Sequence, residues 1–419
     1  MDTGQSKPRS ISQRIFGAAL AFSLSFLFLC ATAEIGLRVS GDRQAAIETG
    51  LSELPAPWVD LLKAEIYESV PDPVRRYAMR PGASTAIADE VTGQTWTFQV
   101  NSHRARGPEF PLVKPENERR ILCLGDSFAF GLWCNQDETL VGHLAKLANQ
   151  NESDPNISWR GISIGVPGYH TGQQRIAFEQ DGLAMDPDVV VLYFNTNDIM
   201  QDGFFYDDDL NIIRVDLADL PSDLRRGLWS SHLYGFLTRT LLTEAVKRIQ
   251  SPHLDPRVPY AHVRADNQAY CRSELERIAT ICRERNLPLF VVNQPLMTWS
   301  DSARGTQWNI LPLYDWARTT FDELGLPQLG LLGWMRGYAD GIDRIATLGP
   351  SESAPEPDFR PDFFFADPAV QRWVKAFKAG RTPAAEDLPK DPDFHLLGDG
   401  YGSMANLVYS SMQSIQMLP

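Results

Sequence analysis

A short apolar strand that runs directly into a glycine-bounded turn constrains the fold of this chain most strongly. The strand covers Arg120 to Leu124, and the turn is GDSFAFG, Gly125 to Gly131. A helix starting immediately behind the turn places Ser127 at a strand end and at the positive end of a helix dipole. The Ser127 hydroxyl is then exposed at the sheet edge, and its own N–H can stabilise an oxyanion. In the simpler alternative, Asp126 and Ser127 only cap the helix.

Strand-like and helix-like stretches alternate along the chain, which predicts an α/β fold with a parallel sheet and a site at its carboxyl edge. Two long segments, residues 201–265 and 330–390, interrupt this pattern, and such insertions in α/β enzymes usually shape the substrate cleft. Three aromatic side chains of the first insertion form either a substrate-binding wall or local core. They are Trp229, Tyr234 and Phe236.

Three further segments supply what a nucleophilic serine lacks. Ser163 to Thr171 is an apolar run closing in a glycine turn, which can present a bare backbone N–H. Val189 to Asp198 is strand-like and ends in amides and a carboxylate. Asp393 to Ala405 contains His395 and opens the final helix. The chain therefore holds donors and a base that suit an acyl-transfer site.

Together with GDSFAFG, these segments resemble the four sequence blocks of the SGNH (GDSL) hydrolase family, in the family's order and over roughly residues 116–415. The resemblance implies a three-layer α/β/α, flavodoxin-like fold and a serine esterase that needs no cofactor. Carried over residue by residue, it implies Ser127 as the nucleophile and His395 as the general base. It also implies an oxyanion hole formed by the N–H groups of Ser127 and Gly168 and the side-chain amide of Asn197.

Two carboxylates compete for the role of orienting His395. Many family members carry an Asp three residues before the histidine, where this chain has Pro392. Asp393 is favoured because the D-x-H spacing also occurs in the family, and Asp391 is the rival. The predicted catalytic residues are therefore Ser127, His395 and Asp393.

Two other segments match the family less closely. After His395 the family often has an Asn and a second His, where this chain has Leu397 and Tyr401. Ahead of the nucleophile, Asn101 to Gly107 resembles a segment of membrane-anchored relatives, although Arg104 stands where they often have glycine. None of these differences removes a member of the predicted site.

Each predicted site residue also has a simpler structural interpretation. Asn197 can end a strand, and Gly168 can be an ordinary turn residue. His143 and His170 compete with His395, because a single histidine usually has no catalytic role. The prediction rests on the joint occurrence of the four blocks in one order.

The N-terminal sequence predicts export. Residues 15–33 form an apolar run of about 19 residues, long enough to cross a bilayer as a helix. Basic residues precede it, which predicts a cytoplasmic tail over residues 1–14 and a catalytic domain outside the cytoplasmic membrane. A signal peptide cleaved after Ala33 is the alternative. Residues 34–115, the leading region, connect this segment to the hydrolase-like domain.

Composition narrows the classes of partner and chemistry. A formal net charge of −14 argues against nucleic acid and anionic membrane surfaces as partners. The chain has five cysteines, of which Cys271 and Cys282 lie about three helical turns apart, too far for a disulfide. No CxxC or HExxH spacing occurs, so no metal site is predicted.

The predicted function is serine-dependent hydrolysis of small-molecule or glycan esters by a membrane-anchored, exported enzyme. Two alternatives stay open. The chain is a polysaccharide O-acetyltransferase if a sugar hydroxyl, rather than water, resolves the acyl-enzyme. It is a catalytically silent carbohydrate-binding or assembly protein if only the scaffold has been kept.

Overall fold

The structure is a computed structural model that describes the chain in segments. The described residues are 22–23, 25–36, 66–72, 74–75, 77–88, 95–199, 205–206, 212–213, 233, 265–295, 297–299, 308–310, 312–335 and 396–419. The chain forms two compact units. The first is Met1–Val59 with Leu217–Pro252, and the second is Asp60–Asp216 with His253–Pro419.

The first unit contains helix α1, residues 25–36. Within this unit the Leu233 N–H donates to Glu34 Oε2 at 2.7 Å. The predicted anchor, residues 15–33, lies partly outside the described residues. Among the helices that the structure describes, none is long and apolar enough to cross a membrane. The boundaries predicted for the tail, the anchor and the leading region remain predictions.

The second unit contains the remaining described strands and helices. The strands are β1 (Tyr67–Ser69), β2 (Tyr77–Met79), β3 (Ser84–Ala88), β4 (Thr95–Gln99), β5 (Glu118–Leu124), β6 (Ser158–Ser163), β7 (Val189–Asn195), β8 (Phe205–Tyr206), β9 (Ile212–Ile213), β10 (Leu289–Gln294), β11 (Met297–Trp299), β12 (Trp308–Ile310) and β13 (Gln328–Gly330). The helices are α2 (Ser127–Phe130), α3 (Leu140–Asn151), α4 (Thr171–Gln180), α5 (Ala265–Glu284), α6 (Pro312–Glu323) and α7 (Gly398–Ser414).

Five strands form a central parallel sheet in the order β13-β10-β7-β5-β6. The chain adds β6 on one side of β5 and then crosses to add β7 on the other side. Such a reversal is a topological switch point, and ligand sites of open α/β sheets lie outside the carboxyl ends of the strands there. The predicted flavodoxin-like parallel sheet is confirmed.

Alternate side chains of β7 face two different helix layers. Val191 and Tyr193 belong to a buried cluster with residues of α3 and α7. Phe194 points to the opposite face and packs edge-on against Phe321 of α6, with ring centroids 5.0 Å apart. Every residue of β7 is buried, as expected for a central strand covered by helices on both faces. The fold therefore has three layers, α/β/α.

The described part of the leading region contains two antiparallel strand pairs, and its later residues attach to the edge of the sheet. Strands β1 and β2 pair antiparallel, as do β3 and β4. Trp96 and Phe98 of β4 are buried while their neighbours in the strand are exposed, the alternation expected of a strand with one covered face. The Arg106 N–H donates to Ser163 O of β6 at 2.9 Å. Arg104 adopts a left-handed φ of 63°, a conformation that glycine adopts without strain.

The second unit contains four buried thiols. Cys271 and Cys282 are buried on α5, and all five cysteines of the chain are free. Burial raises the pKa values of the Cys123 and Cys134 thiols, which flank the GDS turn, to about 12. These two thiols are therefore protonated at neutral pH and poorly nucleophilic.

Candidate functional site

The GDS turn leaves β5 through a close approach that requires glycine. Gly125 has a φ of +152°, and a Cβ atom built there would lie 2.6 Å from Ala129 Cβ and 2.7 Å from Tyr193 O. The following residue, Asp126, caps α2 by accepting the Phe128 N–H on Oδ1 at 3.0 Å. The strand can therefore turn sharply and place Ser127 at its carboxyl end.

The helix that begins at Ser127 is a single turn. It ends at Gly131, which adopts a left-handed φ of 76°. The helix starts at Ser127 as the sequence predicts, but four residues carry only a small macrodipole. Individual N–H groups near Ser127 are therefore the main candidates to bind an oxyanion.

Ser127 is packed rather than exposed. The residue is 3% exposed, whereas the sequence predicts an exposed hydroxyl. Its Oγ lies 3.5 Å from Oδ2 of Asp126, which is itself fully buried. The difference arises because the loops that follow the neighbouring strands converge on the GDS turn.

The second predicted block forms a tight turn after β6. The Tyr169 N–H donates to Val166 O at 3.1 Å, and Gly168 has a φ of 82°. Pro167 followed by a left-handed glycine is typical of a type II turn. The Val166 N–H donates to Gly125 O at 3.2 Å, which couples this turn to the GDS turn. Within the described part of the chain, the Gly168 N–H donates no hydrogen bond, so it is available to a ligand.

The third predicted block is linked to the nucleophile turn through one carboxylate. Asn197 Nδ2 donates to Asp126 Oδ2 at 2.8 Å. The same oxygen lies 3.5 Å from Ser127 Oγ. A side-chain amide carries two N–H donors, and Asp126 takes one of them. The second N–H of the Asn197 amide is not used in this contact.

Asp198 fixes the shape of the loop that carries Asn197. Its Oδ2 accepts the Asn195 N–H at 2.8 Å, and its Oδ1 accepts Gln174 Nε2 at 2.7 Å. Gln174 Nε2 also lies 3.3 Å from Tyr169 O, so one side chain of α4 contacts both loops. Asp198 therefore anchors this loop through a backbone N–H of the loop and a side chain of α4.

Burial raises the pKa of Asp198 well above its ordinary value, and the charge of Asp126 raises it further. A raised folded-state pKa means that the folded chain binds more protons than the unfolded chain between the two pKa values. Folding stability from this group is therefore full below the unfolded pKa of about 3.9 and is lost as the pH rises through the folded pKa.

We expect the free energy of unfolding of Asp198→Asn to rise relative to that of the wild type as the pH rises, because the variant has no charge to bury. Urea unfolding of both proteins at pH 5 and pH 8 measures the change. Asp315→Asn, which removes an exposed carboxylate of α6, is the control and should follow the wild type. Parallel stability curves for wild type and Asp198→Asn would contradict the assignment.

The two competing histidines have structural contacts. His170 Nδ1 accepts the Gly172 N–H at 3.1 Å and caps α4. His143 lies on α3, and its ring contacts Gly398 O at 3.2 Å. Neither of these two contacts involves Ser127.

The predicted base and its carboxylate, His395 with Asp393 or Asp391, lie outside the described residues, as do Trp229, Tyr234 and Phe236. Leu396, the residue after His395, is fully buried in the same cluster as Phe128. Leu397 forms a parallel bridge with Trp133, just beyond the GDS turn.

Sequence reasoning missed the side chains that support the site from the leading region. Tyr77 Oη donates to Pro167 O at 3.0 Å. A Cβ atom built at Gly168 would lie 2.9 Å from Tyr77 Oη. Asp126 is predicted only as a cap, not as the link to Asn197. The weak resemblance of the segment ending at Gly107 was the one signal in this region.

The structure thus brings Ser127, Gly168 and Asn197 to the carboxyl ends of three adjacent strands, β5, β6 and β7. Among the described residues, no group of three or more His, Cys, Asp or Glu side chains is placed to hold a metal ion. The chemistry that this arrangement supports is stabilisation of a negative oxygen next to a serine hydroxyl.

Residues 123–347, just over half of the chain, match the GDSL-like Lipase/Acylhydrolase family. No curated protein matches the chain. Similar solved structures include the acetyl xylan esterase AlAXEase, with 12% identity, 70% of this chain and 98% of that chain covered, and a TM-score of 0.34. The lipase/acylhydrolase from Enterococcus faecalis has 15% identity, coverage of 71% and 96%, and a TM-score of 0.32. A two-domain esterase active on acetylated mannans, CEX, has 10% identity, coverage of 71% and 49%, and a TM-score of 0.33.

Proposed function

Because the chain belongs to the GDSL-like lipase/acylhydrolase family and is an SGNH-type esterase, we propose that it cleaves esters through an acyl intermediate on Ser127. Ser127 Oγ attacks the ester carbonyl, and the carbonyl oxygen becomes an oxyanion. His395 accepts the Ser127 proton and returns it to the leaving alcohol, while Asp393 orients the imidazole. Water then releases the acid from the acyl-enzyme.

One observation carries the proposal. Asp126 lies 3.5 Å from the Ser127 hydroxyl and accepts the Asn197 amide at 2.8 Å, so the nucleophile and an oxyanion donor share one buried carboxylate. The Gly168 turn is bonded to the same GDS turn from the other side. We propose that the N–H groups of Ser127 and Gly168 and the Asn197 amide bind the oxyanion together.

The proposed base has indirect support. Residues 396 and 397 follow His395 directly, and both belong to contacts around the GDS turn. His395 is therefore next in sequence to Leu396, which lies in the same buried cluster as Phe128. Asp393 is the proposed acid and Asp391 its rival.

We propose that the enzyme acts outside the cytoplasmic membrane, anchored by residues 15–33, on acylated glycans. The apolar run and the basic residues before it support the location. So do the exposed apolar side chains of α1, such as Phe26 at 57% and Leu29 at 66% exposure. The resemblance of residues 101–107 to membrane-anchored relatives, which are associated with exopolysaccharide modification, supports the substrate class. Secretion after cleavage at Ala33 is the alternative location.

Fluorophosphonate labelling of the purified full-length chain tests the nucleophile. Trypsin releases residues 121–146 as one peptide, and Ser127 is the single serine in it. We expect this peptide to carry the label, and the labelling to inhibit hydrolysis of p-nitrophenyl acetate in proportion. An unlabelled peptide together with no hydrolysis of any simple ester would overturn the proposal.

An acetylated oligosaccharide, incubated with and without a deacetylated acceptor, tests the fate of the acyl group. Hydrolysis predicts free acetate at the same rate in both reactions. Acetate that appears on the acceptor instead would make the chain a transferase. Acetylated oligosaccharide that binds without any loss of acetate would favour the silent binding protein.

A further inference from the structure

The helix that carries Ser127 is too short to hold itself in place. A single turn gains little from its own hydrogen bonds, and its carbonyl groups need partners from elsewhere. The Ser127 carbonyl accepts the Gly131 N–H at 2.9 Å. The Phe128 carbonyl accepts Tyr401 Oη at 2.7 Å, and the Ala129 carbonyl accepts Ser163 Oγ at 2.7 Å.

Three further carbonyl groups, at the end of this helix and just after it, accept hydrogen bonds from one guanidinium. Arg106 Nη1 donates to Phe130 O and to Gly131 O, and its Nη2 donates to Cys134 O. An arginine can reach three carbonyl groups at once because its donors form a rigid planar fork, which a lysine lacks. Arg106 therefore fixes the backbone that follows the Ser127 helix by binding its carbonyl groups.

The guanidinium is buried at the negative end of the helix. Arg106 is 3% exposed. Its Cζ lies 4.7 Å from the Phe98 ring centroid and 4.8 Å from that of Phe130, two rings that face each other nearly parallel. Carbonyl dipoles at a helix C-terminus and aromatic faces both favour a cation. These carbonyl groups and rings thus stabilise the positive charge of the buried Arg106 guanidinium.

The main chain of Arg106 is fixed as firmly as its side chain. Its N–H donates to Ser163 O of β6, and Ser163 Oγ holds Ala129 O. Gly131 leaves room for the guanidinium, since a Cβ there would lie 2.9 Å from Arg106 Nη1. Movement of Arg106 would therefore be transmitted to the turn that begins at Ser127.

We propose that Arg106 is a positioning residue for Ser127: it connects the leading region to the nucleophile helix and sets the direction of the Ser127 hydroxyl and N–H. The proposal rests on the proposed function of Ser127. Misplacing a nucleophile by about 1 Å costs on the order of 100-fold in rate. A role limited to stability would lower the folded fraction but leave each folded site as active as before.

Arg106→Lys keeps the charge and removes the fork, and it is the main test. We expect kcat per fluorophosphonate-titrated site to fall about 10- to 100-fold with KM little changed. The rate constant for fluorophosphonate labelling should fall in parallel. Arg160→Lys is the matched control, because Arg160 is a half-buried arginine that bonds Glu118 and not the nucleophile turn. It should retain the wild-type rate.

Phe98→Leu is the second variant, since it removes one ring face and leaves every Arg106 hydrogen bond possible. We expect a roughly threefold to tenfold loss of kcat per titrated site. Wild-type kcat per site in Arg106→Lys would overturn the proposal, as would wild-type kcat per site in Phe98→Leu if Arg106→Lys does not fold. Failure of the proposed function looks different, because the wild type itself would then be neither labelled nor active.

Discussion

Ser127→Ala is expected to lose ester hydrolysis by a factor of at least about 10⁴ in kcat, because no acyl intermediate can form without the hydroxyl. The fold should be unaffected. The cap of α2 is supplied by the Asp126 side chain and not by the Ser127 hydroxyl. The free energy of unfolding should change by less than about 1 kcal/mol. Steady-state kinetics and urea unfolding of the same preparations measure both.

Ser410→Ala is the matched control for Ser127→Ala. Ser410 is exposed on α7, and its hydroxyl donates to Asn406 O at 2.8 Å. We expect wild-type kinetics and wild-type labelling of the peptide that contains Ser127. Retention of more than about a tenth of the wild-type kcat by Ser127→Ala would mean that the nucleophile lies elsewhere, since deletion of a nucleophile leaves only the small residual catalysis of the binding site.

The parts of the fold that depend on local pattern could be predicted from the sequence. The apolar run that begins at Val189 predicts a strand, and the structure has β7 there, at the centre of the sheet. The sequence Val-Pro-Gly before Tyr169 carries the residues that a type II turn requires, and Gly168 has the expected positive φ. In both places the residues nearby in sequence decide the structure.

The exposure of Ser127 is a case where the local pattern misled. A strand-to-helix turn predicts a hydroxyl exposed at the sheet edge, whereas the residue is 3% exposed. The loops after β6 and β7 contact the GDS turn, because the Val166 N–H donates to Gly125 O and the Asn197 amide donates to Asp126. These contacts join residues far apart in sequence, so the pattern around Ser127 does not contain them.

Contacts between distant residues could not be predicted in this way. Arg106 reaches carbonyl groups up to 28 positions later, and Tyr401 donates to the Phe128 carbonyl across 273 positions. A single arginine in a polar segment usually lies in solvent, so nothing in its neighbours predicts a buried position. Tyr401 replaces a histidine of the family pattern, and its contact gives that replacement a structural role. The positions of His395 and Asp393 remain predictions.

Asn197→Ala is expected to lower kcat about 10²- to 10³-fold with KM little changed, the pattern for an interaction made mainly in the transition state. The amide has two donors, and the one not taken by Asp126 is the proposed oxyanion ligand. The same change deprives a buried carboxylate of a hydrogen bond, which should cost about 1–3 kcal/mol of stability. Kinetics therefore need to be measured per titrated site.

Asn149→Ala separates the two effects of Asn197→Ala. Asn149 Nδ2 donates to Trp159 O and its Oδ1 accepts the Trp159 N–H, both at 2.8 Å, near the amino end of β6. Its loss should reduce stability without reducing kcat per site.

The double variant Ser127→Ala, Asn197→Ala adds a mechanistic test, because a donor that serves only the acyl-transfer transition state has little left to stabilise once the nucleophile is gone. We expect the double variant to be about as slow as Ser127→Ala alone. A further loss of the full 10²- to 10³-fold would show that Asn197 acts independently of the Ser127 reaction, and the oxyanion assignment would then be wrong.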